Sequence, residues 1–149
     1  MIQTEPIVVY LGTRNSSLES HFGFCFGARV STDRDILTVF LPEYDHEEIM
    51  ADLADNGQMA VAINYTPGHE TYQLKGERIA IRPSTEADYA LQKIWYDKIV
   101  PYLPPHLAPP AVTPRLRPSL AIEMRIRDVY EQTPGPGTGG LLASSKEGA

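Results

Sequence analysis

The sequence predicts a mainly β protein with two helices, folded as a small antiparallel barrel. Three observations lead there. Six segments alternate apolar and polar or small residues with the period of half-buried strands. Two further segments repeat apolar residues at helical spacing and carry capping signals at their starts. The strands also alternate too cleanly for a parallel doubly wound sheet, whose strands are buried on both faces and read as continuous apolar runs.

Residues 7–11, IVVYL, form the first strand, ended by the turn-prone GTRNSS. The second runs through HFGFCFGARVS, residues 21–31. Alternation puts Phe22, Phe24, Phe26 and Val30 on one face and Gly23, Cys25, Gly27 and Arg29 on the other. One face is bulky and the other nearly bare. Bare positions of this kind mark a bulge, a barrel bend or the close approach of something to the backbone, a flat ligand among them. Residues 36–41 form a third strand stopped by Pro42. Asp45 with Glu48 makes a capping-box-like start to the first helix, Ile49 and Leu53 lie one turn apart, and Asn56-Gly57 supplies a left-handed stop.

QMAVAINY, residues 58–65, is the fourth strand, alternating Met59, Val61, Ile63 and Tyr65 against smaller or polar neighbours. The break TPGHE leads into the fifth, TYQLKGERIAIRP, where Gly76 marks a bend. Ser84 or Thr85 caps the second helix, whose buried stripe is read as Ala87, Leu91, Ile94, Trp95 and Ile99, and Pro101 ends it. Residues 101–118 hold too many prolines for helix and form an extended surface connection or a crossing onto a partner subunit. The last strand, SLAIEMRIRDVYEQ, sets Leu120, Ile122, Met124, Ile126 and Tyr130 against Ser119, Glu123, Arg125, Arg127 and Glu131. Residues 1–133 are thus one domain, and residues 134–149 are a Gly/Pro-rich tail with little to bury, expected to be mobile.

Composition narrows the function by exclusion. A chain of 149 residues, 42% hydrophobic and 21% charged, buries one ordinary core without metal or disulfide staples. Its net charge of −6 argues against a nucleic-acid footprint. Cys25 is the only cysteine, so no intrachain disulfide, CxxC pair or cysteine-based zinc site exists, and a reducing cytoplasm is the expected compartment. Residues 1–20 lack a signal-peptide pattern, and no stretch approaches the roughly 20 apolar residues a bilayer requires, so no membrane partner is expected. No two of the four histidines stand at helical metal-ligand spacing, so no metal site is read, and no catalytic residue is assigned. His69, beside Glu70 in a turn, is a general acid or simply an exposed loop residue. Cys25, between phenylalanines, is read as an inert thiol. No P-loop, nucleophile elbow or dinucleotide fingerprint is present, since GPGTGG precedes no helix.

Taken in order, GFCFGARVSTDRDILTVFLP, IMADLADNGQMAVAI, YQLKG and DVYEQTPGPG resemble the FMN-binding split barrels related to pyridoxamine 5'-phosphate oxidase. The likeness spans residues 5–133. It implies a six-stranded antiparallel split β-barrel, a homodimer with FMN in grooves between subunits, and an FMN-dependent oxidoreductase acting on a small molecule that the sequence does not name. By the same resemblance Gly27 lies against the ring, Arg29 with Ser31 and Thr32 holds the phosphate, and Gln73 or Lys75 approaches the pyrimidine edge.

Two departures from the family pattern matter. Where members that grip FMN tightly carry a Ser-x-Lys or Arg-Lys pair, this chain has Asp45, His46, Glu47 and Glu48, carboxylates that repel a phosphate or serve the helix start. The alternative is therefore a binding module or structural dimer of the same fold that lacks FMN or takes another planar ligand such as haem. Nothing after Arg127 is arginine or histidine, so the oxidase's own substrate-phosphate grip is missing and pyridoxamine-phosphate oxidation is not expected.

Overall fold

Alternation sorts Gln58–Tyr65 as expected, with Met59, Val61 and Ile63 inward, while Ile36–Pro42 is buried along almost its whole length. In a computed structural model, which describes residues 5–43, 46–103 and 116–145, the elements are β1 (Ile7–Arg14), β2 (Ser20–Cys25), β3 (Ala28–Val30), β4 (Ile36–Pro42), α1 (Glu47–Asp55), β5 (Gln58–Tyr65), β6 (Glu70–Pro83), α2 (Glu86–Ile99), a single 3-10 turn (Val100–Tyr102), β7 (Ser119–Glu131) and β8 (Leu141–Ser144). All strand pairings are antiparallel, in the order β2-β1-β5-β6-β7-β4-β3, with β8 added to β7. Val9, Leu11, Val39, Val61, Ile122 and Met124 point inward and are fully buried.

The sheet has to curl shut. β2 and β3 stand at opposite ends of its pairing order, yet only Phe26 and Gly27 separate them in the chain. The ends meet there: the Phe26 amide donates to the Phe40 carbonyl at 2.7 Å, and the Phe40 amide to the Gly27 carbonyl at 3.4 Å. Gly27 takes φ +101°, a left-handed value a side chain would resist. The bend at Gly76 has a different cause. The register shifts between Lys75 and Gly76, and a Cβ on Gly76 would lie 1.9 Å from the Arg125 carbonyl oxygen. Only glycine lets the two backbones come so close.

The structure corrects the sequence reading at four places. Among the described residues eight strands replace six, because Gly27 divides the second expected strand into β2 and β3, and because Gly135 and Gly139, both at positive φ, help turn the tail back so that β8 pairs with β7. The N-cap position of α1 is held by His46, whose side chain makes no capping hydrogen bond, while Asp45 lies outside the described residues. Thr85 caps α2 through a full capping box with Asp88, but the buried residues of that helix are Asp88, Gln92, Trp95 and Ile99, and Ile94 is 46% exposed. The stripe is turned because two buried polar residues occupy it. Gln92 donates to Ser84 and accepts from Ser119, and Asp88 accepts from Arg29 and Arg82. Residues 104–115 of the proline-rich connection lie outside the described residues. No described helix is long and apolar enough to cross a membrane.

Candidate functional site

The outward face of β1, β5 and β6 carries small residues where neighbouring strands carry large ones. Register sets two rows across it: Phe22, Gly12, Ala60, Lys75 and Asp128 in one, and Phe24, Tyr10, Ala62, Gln73 and Tyr130 in the other. Gly12, Ala60 and Ala62 therefore make a low floor between an aromatic wall and a polar wall. Over that floor lie a cavity of about 480 Å³ reaching Arg14, Lys75 and Arg127, and an adjoining one of about 380 Å³ reaching Tyr10 and Gln73. Both are within the size range of cofactor sites. A Cβ on Gly12 would meet only the Ala60 carbonyl oxygen, at 3.6 Å, so packing does not require a glycine there and no other described part of the chain fills the space above it.

The walls have distinct chemistry. Tyr10 meets Phe22 and Phe24 edge-on at centroid distances of 6.4 and 5.5 Å, and Phe22 is 76% exposed. On the polar side the Lys75 ammonium lies 5.2 Å from the Tyr130 ring centre. Arg127 donates from Nε to Asp128 at 3.1 Å and from Nη1 to the Gln58 amide oxygen at 3.3 Å. Cations and amides on one side of a flat, open floor suit a planar ligand with an anionic end.

Of the residues singled out in the sequence, this face brings together Gln73 and Lys75. The others lie elsewhere in the same copy. Arg29 stands 3.4 Å from the buried carboxylate of Asp88, Ser31 donates to Asp35 at 2.9 Å and accepts from the Ile36 amide at 3.1 Å, and Thr32 is exposed in the same turn. The bare face of β2 turns inward, and the chain's own helices make the close approach. A Cβ on Gly23 would lie 2.9 Å from His46 and 3.0 Å from Ile49, and one on Gly27 would lie 3.0 Å from the Trp95 ring. Cys25, between them, is fully buried, and burial pushes its thiol up to about 12, which leaves it inert. His69 is exposed in its turn at φ 62°.

A polar cluster that the sequence reading missed borders the larger cavity. His21 on β2 puts Nδ1 2.7 Å from the Asp52 carboxylate on α1, and Thr13 on β1 donates to the same oxygen at 2.8 Å. Asp52 is buried and His21 half-buried, while His21 Nε2 faces the exposed Glu48 at 3.4 Å. Burial alone would raise Asp52, but hydrogen bonds from His21 and Thr13 outweigh it and hold the carboxyl below the usual range. The hydrogen bond to Asp52 lifts His21 above the ordinary histidine value against its own desolvation, with the charges of Asp52, Glu48 and Glu19 adding to the lift. One sequence signal pointed here: Asp52 lies beside Leu53 and three residues after Ile49, so it falls on the helix face that those residues bury.

The sequence matches no family model and no curated protein. In structure the chain is similar to an F420 reductase, at 15% identity with 86% of this chain and 92% of that one covered and a TM-score of 0.58. It is also similar to an FMN-binding protein from Syntrophomonas wolfei, at 12% identity, 83% and 75% coverage and a TM-score of 0.51. A third is a proposed pyridoxamine 5'-phosphate oxidase from Lactobacillus delbrueckii, at 13% identity, 83% coverage of both chains and a TM-score of 0.50. The fold is that of the split barrels related to pyridoxamine 5'-phosphate oxidase, as the strand motifs implied.

Proposed function

We propose that this protein is an oxidoreductase that holds a flavin-type cofactor, FMN, on the outward face of β1, β5 and β6, in a groove completed by a second copy of the chain. One observation carries the reading: the floor of Gly12, Ala60 and Ala62, left open by the described chain and flanked by Gln73 and Lys75. The names of two structural neighbours, an F420 reductase and an FMN-binding protein, agree with a tricyclic ring of this kind. The cofactor, when bound, supplies the hydride chemistry.

The chain's part is placement and electrostatics. The Gln73 amide hydrogen-bonds the ring edge, Lys75 and Arg127 offset negative charge, and Tyr10 and Phe22 keep water from the ring. Arg29, Ser31 and Thr32 reach the phosphate from the second copy, since within one copy they are apart from the floor. Arg29 can turn to that task, because Asp88 keeps Arg82 as its nearer partner. Gly27 contributes backbone only, as Trp95 fills its side-chain direction.

The visible spectrum of freshly purified protein, followed by titration of apoprotein with FMN, tests the reading. Flavin bands in stoichiometric yield, with Arg29→Ala weakening FMN by about 1.5–3 kcal/mol, are the expected result. Gln73→Ala should move the flavin's potential more than its affinity. Sedimentation showing only a 16.5 kDa species at micromolar protein would remove the shared groove. The rival reading, a binding module that takes no FMN or takes haem, is favoured by Glu47 and Glu48 lining a neighbouring cavity of about 510 Å³. A Soret band, or colourless protein that rejects FMN, would establish it.

A further inference from the structure

We propose that one end of the barrel is a second ligand site, separate from the cofactor floor, and that it takes a small organic cation: a primary ammonium group on an apolar body about one ring in size.

The two sites lie on opposite sides of one sheet. Ala62 and Gln73 face outward onto the floor, so their chain neighbours Ile63, Tyr72 and Leu74 face inward. Register sets Ile7 opposite Tyr65, in step with Ile63, and sets Val129 opposite Leu74. At this end of the barrel those side chains do not close on one another. They leave a cavity of about 210 Å³ with an apolar wall, and Glu5, just ahead of β1, lies at its edge. An apolar cavity of about 150 Å³ is enough to take benzene, so this one has room for a single ring or a short alkyl chain.

The rim is acidic and aromatic. Glu70 pairs with Tyr65 in register and so stands on the same inward face as the cavity. Burial pushes the Tyr65 hydroxyl up, and Glu5, Tyr102 and Glu70 push it further, which puts both carboxylates within electrostatic reach of that ring. Glu70 Oε2 is buried without a hydrogen-bond partner. Among the described residues neither glutamate forms an ion pair with a lysine, arginine or histidine. A buried carboxylate oxygen gains most from a donor that also carries positive charge. Tyr65 and Tyr72 line the same opening, and aromatic faces attract ammonium groups. An anion would meet two carboxylates there, and a neutral apolar molecule would leave Glu70 unpaired. An amine with an apolar body satisfies both the wall and the rim.

Titration of the chain with 2-phenylethylamine, followed through the methyl NMR signals of Ile7, Ile63, Leu74 and Val129, tests the site. Saturable shifts at these methyls, with none at Ala60 and Ala62 of the outward floor, are expected. 3-Phenylpropionate, similar in size and opposite in charge, should bind at least about 10-fold more weakly. Glu5→Gln combined with Glu70→Gln should lower the amine's affinity by roughly 10-fold and leave that of neutral ethylbenzene unchanged. Equal affinity for the amine and the acid, or an amine affinity indifferent to the glutamine pair, would overturn the assignment to a cation. So would ethylbenzene binding more tightly than the amine, which would mark a site for neutral apolar molecules. No saturable shift with any of the three probes, or shifts confined to Ala60 and Ala62, would overturn the site itself. Since none of these readouts depends on FMN, the cofactor reading stands or falls separately.

Discussion

Both helices cover a glycine on the inner face around β2, and both are tied down by a buried aspartate, but the two ties differ in kind. α2 lies over Gly27 through Trp95, whose indole donates to the Ile7 carbonyl at 2.7 Å. Its Asp88 accepts from Arg82, from the Thr85 amide at 2.8 Å and, at 3.4 Å, from Arg29. α1 lies over Gly23 through His46 and Ile49, and its Asp52 accepts from Thr13 and His21. Arginine does not titrate in a protein, so the α2 tie holds until Asp88 itself is protonated in strong acid. Histidine does, and this one is half-buried. A buried carboxylate closed on guanidinium groups is a fastener across the ordinary pH range, while one that ends on a half-buried imidazole is a fastener that pH can loosen.

The largest expected effect attacks the α2 tie. Arg82→Met should cost about 2–3 kcal/mol in urea denaturation, less than a fully orphaned buried charge would, because Arg29 and the Thr85 amide stay with Asp88. Arg29→Ala, removing the longer contact, should cost well under about 1 kcal/mol of stability, against the larger loss of FMN affinity proposed for it. If the two variants lose equal stability, Arg29 is a structural residue and its assignment to the phosphate falls.

The glycines sharpen the same contrast. Gly27→Ala forces a side chain into the left-handed region and against the Trp95 ring, so it should cost about 2 kcal/mol or more and dislodge α2. Gly23→Ala meets only the ends of Ile49, Leu41 and His46, which can turn aside, so about 1 kcal/mol is expected. Near-UV circular dichroism of Trp95 follows the first, and a thermal melt compares the two. An equal loss at both glycines would mean that α1 is as rigidly seated as α2.

What the sequence revealed follows from how far each signal reaches along the chain. Alternation in QMAVAINY is local, and it placed β5 with Met59, Val61 and Ile63 inward. In SLAIEMRIRDVYEQ it placed the strand with Ile122 and Met124 inward, but Ser119, expected outward, is buried, and the register shift opposite Gly76 leaves Tyr130, expected inward, beside Gln73 on the outer face. Gly76 was readable as a bend because a glycine inside a strand pattern marks a kink or a close approach of two backbones. The division at Gly27 was not readable as such, since it depends on Trp95 and Phe40, distant in sequence. β8 has almost no alternation of its own and exists because β7 offers it an edge. Among the site residues, Gln73 and Lys75 could be grouped by strand period, and the small floor beside them could not, because Gly12, Ala60 and Ala62 become neighbours only through register. The His21–Asp52 pair leaves no periodic trace in the sequence for a related reason: it is made between β2 and α1, not within one element.

The smallest effect separates the two ties without any mutation. His21 is raised in the fold, so its contribution is complete below the ordinary histidine value and fades as pH rises through the folded one. Asp52 is lowered, so its contribution is complete above the ordinary carboxylate value and fades as pH falls through the folded one. The α1 tie is therefore strongest at mildly acidic pH and weakens first on the alkaline side. Asp88 is lowered too, but its cationic partners keep their charge throughout that range, so the α2 tie fades only in strong acid. Amide hydrogen exchange, corrected for its intrinsic pH dependence, should show protection in residues 47–55 falling between mildly acidic and mildly alkaline solution while residues 86–99 keep theirs. Asp52→Asn should abolish the difference, because an amide cannot hold the imidazolium. If both helices instead lost protection together, the barrel would be opening as one unit, and His21 would not be the group that governs how α1 is seated.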